Sequence, residues 1–158
     1  LNCNAGFKGR KGTLYEGGIR VPFIVNQPGM VPIQTLDNLI YFPDMMPTLA
    51  ALAKGTKHLP KQINGINILP LFYGKQVDTD NRLLYWEFPG KQRAARKGDW
   101  KCVTIHPNQP LELYNLKEDP EETNNLAKKY PRRVKEFDEE MQRMHIPTPN
   151  WPQPGEQF

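Results

Sequence analysis

The chain has 158 residues, of which 38% are hydrophobic and 24% charged, and its net charge is +4. This length suits one ordinary domain or two small lobes, and the composition excludes an intrinsically disordered chain. The longest apolar runs are far shorter than the roughly 20 residues of a membrane-spanning helix, so we expect no such helix.

The first predicted elements are a strand and a helix. Residues 19–25 (IRVPFIV) form an apolar, β-branched run, which predicts a strand buried on both faces. Residues 43–53 (PDMMPTLAALA) predict a helix with a proline in its first turn and one apolar face. The residues of that face are Met46, Leu49, Leu52 and Ala53.

The pattern changes in the second half of the chain. Asn64-Gly65 predicts a turn before an apolar run, and the polar residues 74–81 predict a linker between two lobes. A tight turn at residues 97–99 (KGD) predicts a hairpin within a small antiparallel meander. The predicted strands of this meander are residues 83–88, 93–96, 100–105 and 111–116.

The last elements are two helices and a tail. Asp119, followed by a proline and two glutamates, is a helix-start signal. A longer helix begins at Pro131, and we expect its apolar stripe to pack on the meander. The residues of the stripe are Val134, Phe137, Met141 and Met144. Residues 147–158 are rich in proline and predict an extended tail.

Several catalytic classes are excluded by what the chain lacks. It contains no serine, which removes the serine-nucleophile hydrolases. Its three histidines, His58, His106 and His145, lack the spacing of a zinc site or of a Cys-His pair. The two cysteines, Cys3 and Cys102, leave disulfide pairing open.

Basic residues are concentrated near the start of the chain, in the glycine-rich residues 6–20 (GFKGRKGTLYEGGIR). The four basic side chains are Lys8, Arg10, Lys11 and Arg20, against the single acid Glu16. This cluster predicts a local anion site rather than a generally basic surface. Glycines allow the backbone to approach a ligand closely, and lysine supplies a compact positive charge.

Other interpretations of this basic stretch are weaker. A nucleotide P-loop is excluded, because no Gly-Lys pair of the chain fits G-x-x-x-x-G-K-[ST]. A nucleic-acid surface needs aromatic residues for base stacking, and Phe7 and Tyr15 are thin support for one. On charge alone, a solvated turn remains an equal alternative to an anion site.

Residues 9–22, GRKGTLYEGGIRVP, resemble the K-G-x-x-x-E-G-G-x-R-V-P segment of formylglycine-dependent sulfatases, arylsulfatases in particular. Four further segments resemble that family in the same order, up to about residue 146. They are residues 41–53 (YFPDMMPTLAALA), 63–71 (INGINILPL), 84–103 (LYWEFPGKQRAARKGDWKCV) and 113–127 (LYNLKEDPEETNNLA).

The resemblance implies the C-terminal part of an α/β, alkaline-phosphatase-like sulfatase fold. We expect residues 1–77 to be a remnant of the catalytic domain, at the edge of its large sheet. Residues 78–146 would form a C-terminal subdomain, in which a helix covers a four-stranded antiparallel sheet. Residues 147–158 would be the Pro-rich tail.

The resemblance also implies roles for three residues. Lys11 falls on the family's sulfate-contacting lysine and would be both catalytic and substrate-binding, because an ammonium offsets charge on the sulfate ester. Residues 88–94 lack the histidine-containing loop of many bacterial relatives, and Gln92 and Arg93 become candidates for substrate contact. An ordinary hairpin role for these two residues stays open.

Other parts of the family's site are missing from this sequence. The formylglycine nucleophile is made from C/S-x-P-x-R, a pattern that neither cysteine begins. The family's calcium ligands lie upstream of the lysine, so no metal ligand is assigned. The resemblance thus implies the C-terminal fragment of a sulfatase that uses calcium and formylglycine, with no nucleic-acid or membrane partner.

The partners implied are an aryl or carbohydrate sulfate ester and the missing N-terminal part of the same polypeptide. We expect the fragment to be inactive alone, and sulfatases of this family are usually periplasmic, secreted or lysosomal. The alternative is a non-catalytic module that binds a sulfated glycan.

Overall fold

The computed structural model of the chain describes residues 4–88, 92–150, 152 and 157. Packing divides the chain into two compact units. Residues 1–21 and 83–158 form the first, called here the sheet unit, and residues 22–82 form the second, called the middle unit. In the described part of the chain, no helix is long and apolar enough to cross a bilayer. The predicted domain division at residue 77 stays a prediction.

The sheet unit is built on a four-stranded antiparallel sheet with the strand order β1-β2-β3-β4. The strands are β1 (Leu83–Phe88), β2 (Gln92–Lys97), β3 (Trp100–Thr104) and β4 (Glu112–Asn115). The predicted meander is therefore confirmed, with strand ends within about two residues of those expected. Gly98 has a φ of 55° in the turn between β2 and β3, a conformation that favours glycine.

Each face of this sheet is covered by a different part of the chain. Successive side chains of a strand point to opposite faces, so neighbouring residues of β2 and β3 enter different cores. One face, called here the loop face, carries Ala94, Val103 and Tyr114. The other, called the helix face, carries Ala95, Cys102 and Leu113.

Helix α4 (Pro131–Met144) covers the helix face. Its start at Pro131 and its contact with the meander are as predicted. Phe137 and Met141 are buried, Val134 packs beside them, and Met144 at the end of the stripe is 36% exposed. Burying a side chain of this size stabilises the fold by roughly 1.5–3 kcal/mol.

The predicted strand at residues 19–25 is wrong. The short helix α1 (Glu16–Ile19) ends where the strand was expected to begin, and the residues after it have no regular structure. Val21 is 75% and Ile24 87% exposed. In the described residues, no strand lies beside this segment to accept its backbone hydrogen bonds, and an unpaired apolar run does not form a sheet by itself.

The helix-start signal at Asp119 is also followed by no helix. The carboxylate of Asp119 accepts hydrogen bonds from the backbone amides of Thr123 and Asn124, as a cap would. Glu122 has a φ of 56°, however, and this left-handed conformation interrupts a helix after one turn. Residues 116–124 form turns and bends instead.

The middle unit contains only short helices. They are a 3₁₀ turn at Phe42–Asp44, α2 (Met45–Leu52), a 3₁₀ turn at Thr56–His58 and α3 (Leu69–Phe72). The position predicted for α2 is confirmed, but its expected apolar face is not buried. Leu49 is 59% exposed, and Met46, Leu52 and Ala53 are exposed as well.

Polar bonds hold the middle unit together. The buried carboxylate of Asp44 accepts both Nη1 and Nη2 of Arg82 at 2.6 Å, and it also accepts the backbone amide of Ile66 at 2.9 Å. Thr48 donates its hydroxyl to the Asp44 carbonyl and accepts the amide of Ile68. These bonds fix α2 against the segment before α3.

Candidate functional site

The basic loop, defined here as residues 6–15, lies on the loop face of the sheet. Leu14 and Tyr15 are buried in one core with Ala94, Val103 and Tyr114. This apolar contact places the loop over the middle of β2, β3 and β4. The end of the glycine-rich stretch is therefore packed on the sheet, while Arg10, Lys11 and Gly12 at its tip are exposed.

Lys8 is engaged inside the sheet unit. Its Nζ donates to the hydroxyl of Tyr114 at 2.8 Å and lies 3.2 Å from Oε2 of Glu112. The ammonium also lies 4.1 Å from the centroid of the Tyr15 ring. The charge of Lys8 is thus balanced within the fold.

Glu112 is the acceptor at the centre of this group. Its Oε2 accepts the hydroxyls of Tyr15 and Tyr114, each at 2.7 Å. Burial opposes ionisation, but the hydrogen bonds from Tyr114, Tyr15 and Lys8 outweigh it and lower the pKa of Glu112. Burial and the bond to this carboxylate raise the pKa of both tyrosines.

A buried ion cluster fixes the end of the basic loop. It consists of Glu16, Lys101 and Glu122. The side chain of Lys101 is 0% exposed, and its Nζ lies 2.8 Å from Glu16 Oε1 and 2.9 Å from Glu122 Oε1. The backbone amide of Glu16 donates to Glu122 Oε2 at 2.7 Å. Burial raises the pKa of Glu122, although the charge of Lys101 acts against this rise.

The helical turn after the loop requires glycine at residue 18. A Cβ at Gly18 would lie 2.0 Å from the carbonyl oxygen of Thr13, which is far inside any van der Waals contact. The hydroxyl of Thr13 in turn donates to the carbonyl of Arg10 at 2.9 Å. The loop thus closes back on itself before α1 begins.

Gln92 bonds to the backbone of the basic loop. Its side chain is almost fully buried, with Nε2 donating to the Gly12 carbonyl at 2.9 Å and Oε1 accepting the Leu14 amide at 3.2 Å. Gly12 has a φ of 94°, so a residue with a side chain would be strained there. The amide of Gln92 therefore holds the loop on the C-terminal side of Lys11.

Lys11 itself is exposed. In the residues that the structure describes, its side chain makes no hydrogen bond or ion pair. The guanidinium of Arg20, by contrast, lies 4.8 Å from the Phe7 ring centroid. Among the described residues, Lys11 thus has no internal partner, although the residues on either side of it in the loop are bonded to the rest of the unit.

Arg93 points to the other side of the sheet from Gln92. Its Nη2 lies 3.5 Å from Oδ1 of Asp138 on α4. The structure therefore places Gln92 against the backbone that follows Lys11 and Arg93 on the helix face. Contact of either residue with a substrate stays a prediction.

The described residues do not form a metal site. They contain no group of three or more histidine, cysteine, aspartate or glutamate side chains that could hold a metal ion. Cys102 is a free, buried thiol on the helix face, and burial raises its pKa to about 12. The possible pairing of Cys3 lies outside the described residues.

The match of Glu16 to the family motif predicts a structural residue that holds the loop, but sequence reasoning missed the two residues that Glu16 contacts. Lys101 lies in a mainly apolar strand, on the same face as Val103, and a lysine there signals a buried ion pair. Glu122 gave no comparable signal, because it lies in a segment rich in polar residues.

Residues 7–146 match the family model described as N-sulphoglucosamine sulphohydrolase, C-terminal. A protein from Formosa agariphila named sulfatase is 32% identical over 154 residues, which covers 81% of this chain and 28% of the relative. Arylsulfatase A from Bos taurus is 29% identical over 150 residues, covering 78% of this chain and 29% of the relative.

The fold matches solved structures as well. The crystal structure of Ps i-CgsB in complex with k-i-k-neocarrahexaose superposes with a TM-score of 0.77 at 25% identity. That match covers 94% of this chain and 34% of the other. The chain thus spans about a quarter to a third of the length of these three relatives.

Proposed function

This chain belongs to the sulfatase family, whose C-terminal region it matches, and we propose that the protein to which it belongs hydrolyses a sulfate ester that Lys11 contacts. The substrate class that we propose is an aryl or carbohydrate sulfate. A relative named arylsulfatase A supports the first class, and the oligosaccharide bound to Ps i-CgsB supports the second.

The observation that carries this proposal is the difference between Lys11 and its basic neighbour. Lys8 has a carboxylate and a tyrosine hydroxyl as partners, whereas the exposed side chain of Lys11 has no partner in the described residues. An ammonium without an internal partner can bind an anion without first breaking an ion pair of the fold. Lys11 is therefore the basic residue of the loop best suited to a sulfate.

The chemistry of this contact follows from charge. A sulfate monoester carries one negative charge, and as the bond between sulfur and the leaving oxygen breaks, the electron pair of that bond moves onto the leaving oxygen. An ammonium held beside this oxygen stabilises the transition state more than the ground state. Removing one preorganised donor of this kind lowers kcat about 10²–10³-fold.

Sulfatases of this family generally use formylglycine and calcium. The described residues hold no cluster that fits a calcium ion, and the sequence contains no C/S-x-P-x-R pattern. We therefore assign neither group to this chain, and its own contribution is the lysine and a wall of the pocket. The 158-residue chain by itself is expected to be inactive towards sulfate esters.

The exposed apolar surface of the middle unit favours a contact with further polypeptide of the same protein. It exposes a set of large apolar side chains that a stable surface rarely leaves uncovered. They include Ile24, Ile33, Phe42, Met46, Leu49 and Leu52. Since the relatives are about three to four times longer than this chain, we propose that a part corresponding to their remaining length packs on this surface.

The test measures hydrolysis of p-nitrophenyl sulfate and of a sulfated oligosaccharide by the protein that carries this chain. We expect turnover, and a fall of about 10²–10³-fold in kcat for Lys11→Ala. The matched control is Lys117→Ala, another exposed lysine of the sheet unit, which should keep the wild-type rate within about twofold.

Two outcomes would contradict the proposal. An active protein in which Lys11→Ala matches Lys117→Ala would remove the role of Lys11. Binding of a sulfated polysaccharide that weakens steeply with salt, without turnover of any ester, would favour a non-catalytic polyanion-binding module.

A further inference from the structure

The position of Lys11 depends on a short stretch of backbone, residues 12–14. This stretch joins the exposed lysine to the buried Leu14 and Tyr15. Gly12 has a positive φ, and a Cβ built on it would meet no atom within 4 Å, so the glycine lies in open space. Packing of side chains therefore does not hold Gly12 in place.

The stretch is closed locally by Thr13, whose amide and hydroxyl both donate to the Arg10 carbonyl, and it is tied to the sheet by Gln92. One side-chain amide accepts the Leu14 N–H and donates to the Gly12 carbonyl, so both ends of a three-residue stretch are tied to one group. Gln92 is 8% exposed, and buried hydrogen bonds of this kind are protected from competing water. It is also the first residue of β2, a rigid element of the sheet.

We propose that Gln92 is a positioning residue that acts through Lys11. Its amide sets the direction of the Gly12 peptide group and with it the backbone from which the Lys11 side chain extends. This inference rests on the proposed contact of Lys11 with sulfate. It gives Gln92 a role in the reaction that requires no contact with the substrate.

The test is a double-mutant cycle in the protein that carries this chain. Gln92→Met keeps the volume of the side chain and removes both hydrogen bonds. We expect it to lower kcat/KM for p-nitrophenyl sulfate about 10-fold, because a small misplacement of a catalytic group is costly. In the Lys11→Ala background the same substitution should have almost no further effect, since Gln92 would have nothing left to position.

A second measurement does not depend on hydrolysis. Trypsin cleaves after lysine, and local opening of the loop exposes the bond between Lys11 and Gly12 to it. Gln92→Met should increase cleavage at Lys11 several-fold relative to cleavage at Lys117 in the same sample. The matched control, Gln109→Met, makes the same chemical change at an exposed glutamine and should alter neither measurement.

If circular dichroism shows that Gln92→Met does not fold, a milder substitution of the same residue takes its place. Gln92→Glu keeps the acceptor for the Leu14 amide and loses the donor to the Gly12 carbonyl, and the cycle is then repeated with it. We expect the same direction of change in both measurements.

The outcomes separate the two proposals. If Lys11→Ala is strongly impaired and the Gln92 substitution lowers its remaining activity by a further 10-fold or so, or if that substitution leaves cleavage at Lys11 unchanged, the positioning role is wrong and the proposed function stands. If Lys11→Ala has the wild-type rate while loop cleavage rises in Gln92→Met, the loop contact is supported and the function of Lys11 is wrong, which also removes the positioning role in catalysis.

Discussion

The two faces of the four-stranded sheet are stabilised in different ways. The helix face is covered by α4 through apolar contacts, with Phe137 and Met141 packed on Cys102 and Leu113. The loop face adds charged and hydrogen-bonded groups to its core, and its cover is an irregular segment with one short helix. A helix carries its own backbone hydrogen bonds, whereas a loop must find partners for its amides and carbonyls elsewhere. This difference explains why Gln92 and the cluster of Glu16, Lys101 and Glu122 lie on the loop face.

The largest expected loss of stability comes from removing the buried charge of Lys101 on the loop face. Lys101→Met leaves the buried carboxylate of Glu122 without its cation and leaves Glu16 with Arg96, whose Nη1 lies 3.9 Å from Glu16 Oε2, and we expect a loss of about 3–5 kcal/mol in the free energy of unfolding. Urea unfolding followed by tryptophan fluorescence measures this loss. Lys97→Met, an exposed lysine on β2, serves as the control and should stay within about 0.5 kcal/mol of wild type. A loss below about 1 kcal/mol for Lys101→Met would contradict the ionic support of the loop.

On the helix face, we expect a comparable loss of stability from removing the volume of a buried apolar side chain. Met141 is fully buried, so Met141→Ala creates a cavity and should cost about 2–5 kcal/mol in urea unfolding. Met144→Ala makes the same change at a partly exposed position of the helix and should cost clearly less. Equal losses for the two variants would mean that α4 does not pack as described.

A smaller and pH-dependent effect is expected from Glu112. Glu112→Gln weakens the bonds to Tyr15, Tyr114 and Lys8, and we expect a loss of about 1–3 kcal/mol at pH 7. Because the folded state lowers the pKa of this carboxyl, its contribution is present above the unfolded value of about 4.3 and is lost as the pH falls through the folded pKa. The difference between wild type and variant should therefore shrink from pH 7 to pH 3 in urea unfolding. A difference that is constant over this range would refute the assignment.

The smallest effect on stability is expected at Lys11. Its exposed side chain has no partner in the described residues, so Lys11→Ala should change the free energy of unfolding by less than about 0.5 kcal/mol. Thermal unfolding of the variant beside wild type checks this. A large loss of stability would show that Lys11 supports the fold. A loss of turnover in Lys11→Ala could then come from unfolding and not from a lost contact with sulfate.

The parts of the fold that the sequence predicted correctly are those with local signals. The turn at Gly98 and the apolar runs on either side of it define the β2-β3 hairpin, and Pro131 with its apolar stripe defines α4. Such signals act over a few residues, so a single sequence contains them. The four-stranded meander and its covering helix follow from them directly.

Two of the failures concern burial, which depends on distant parts of the chain, and one concerns the backbone conformation of Glu122. Residues 19–25 and the apolar face of α2 have the composition of buried elements, yet Ile24 and Leu49 are exposed in the structure. An apolar pattern indicates which face of an element favours burial, but it does not identify the segment that packs on that face. At Asp119, the capping geometry formed, but the left-handed Glu122 prevented the helix.

The candidate site was predicted only in part for the same reason. Lys11 was identified through a short motif that resembles a known family. The contacts that support its loop join residues far apart in sequence, with 85 positions between Glu16 and Lys101 and 78 between Leu14 and Gln92. The folded strand order is needed to bring these pairs together.

Because residue 18 must be glycine, few sequences can adopt this structure. Adding even one methyl group would force a main-chain oxygen of Thr13 to move, and with it the whole return of the segment towards the sheet. Repair by a second substitution is difficult, because the obstructing atom belongs to the peptide backbone, which every amino acid shares. We therefore expect glycine at this position in any protein whose backbone follows the same path, even though the residue takes no part in a reaction.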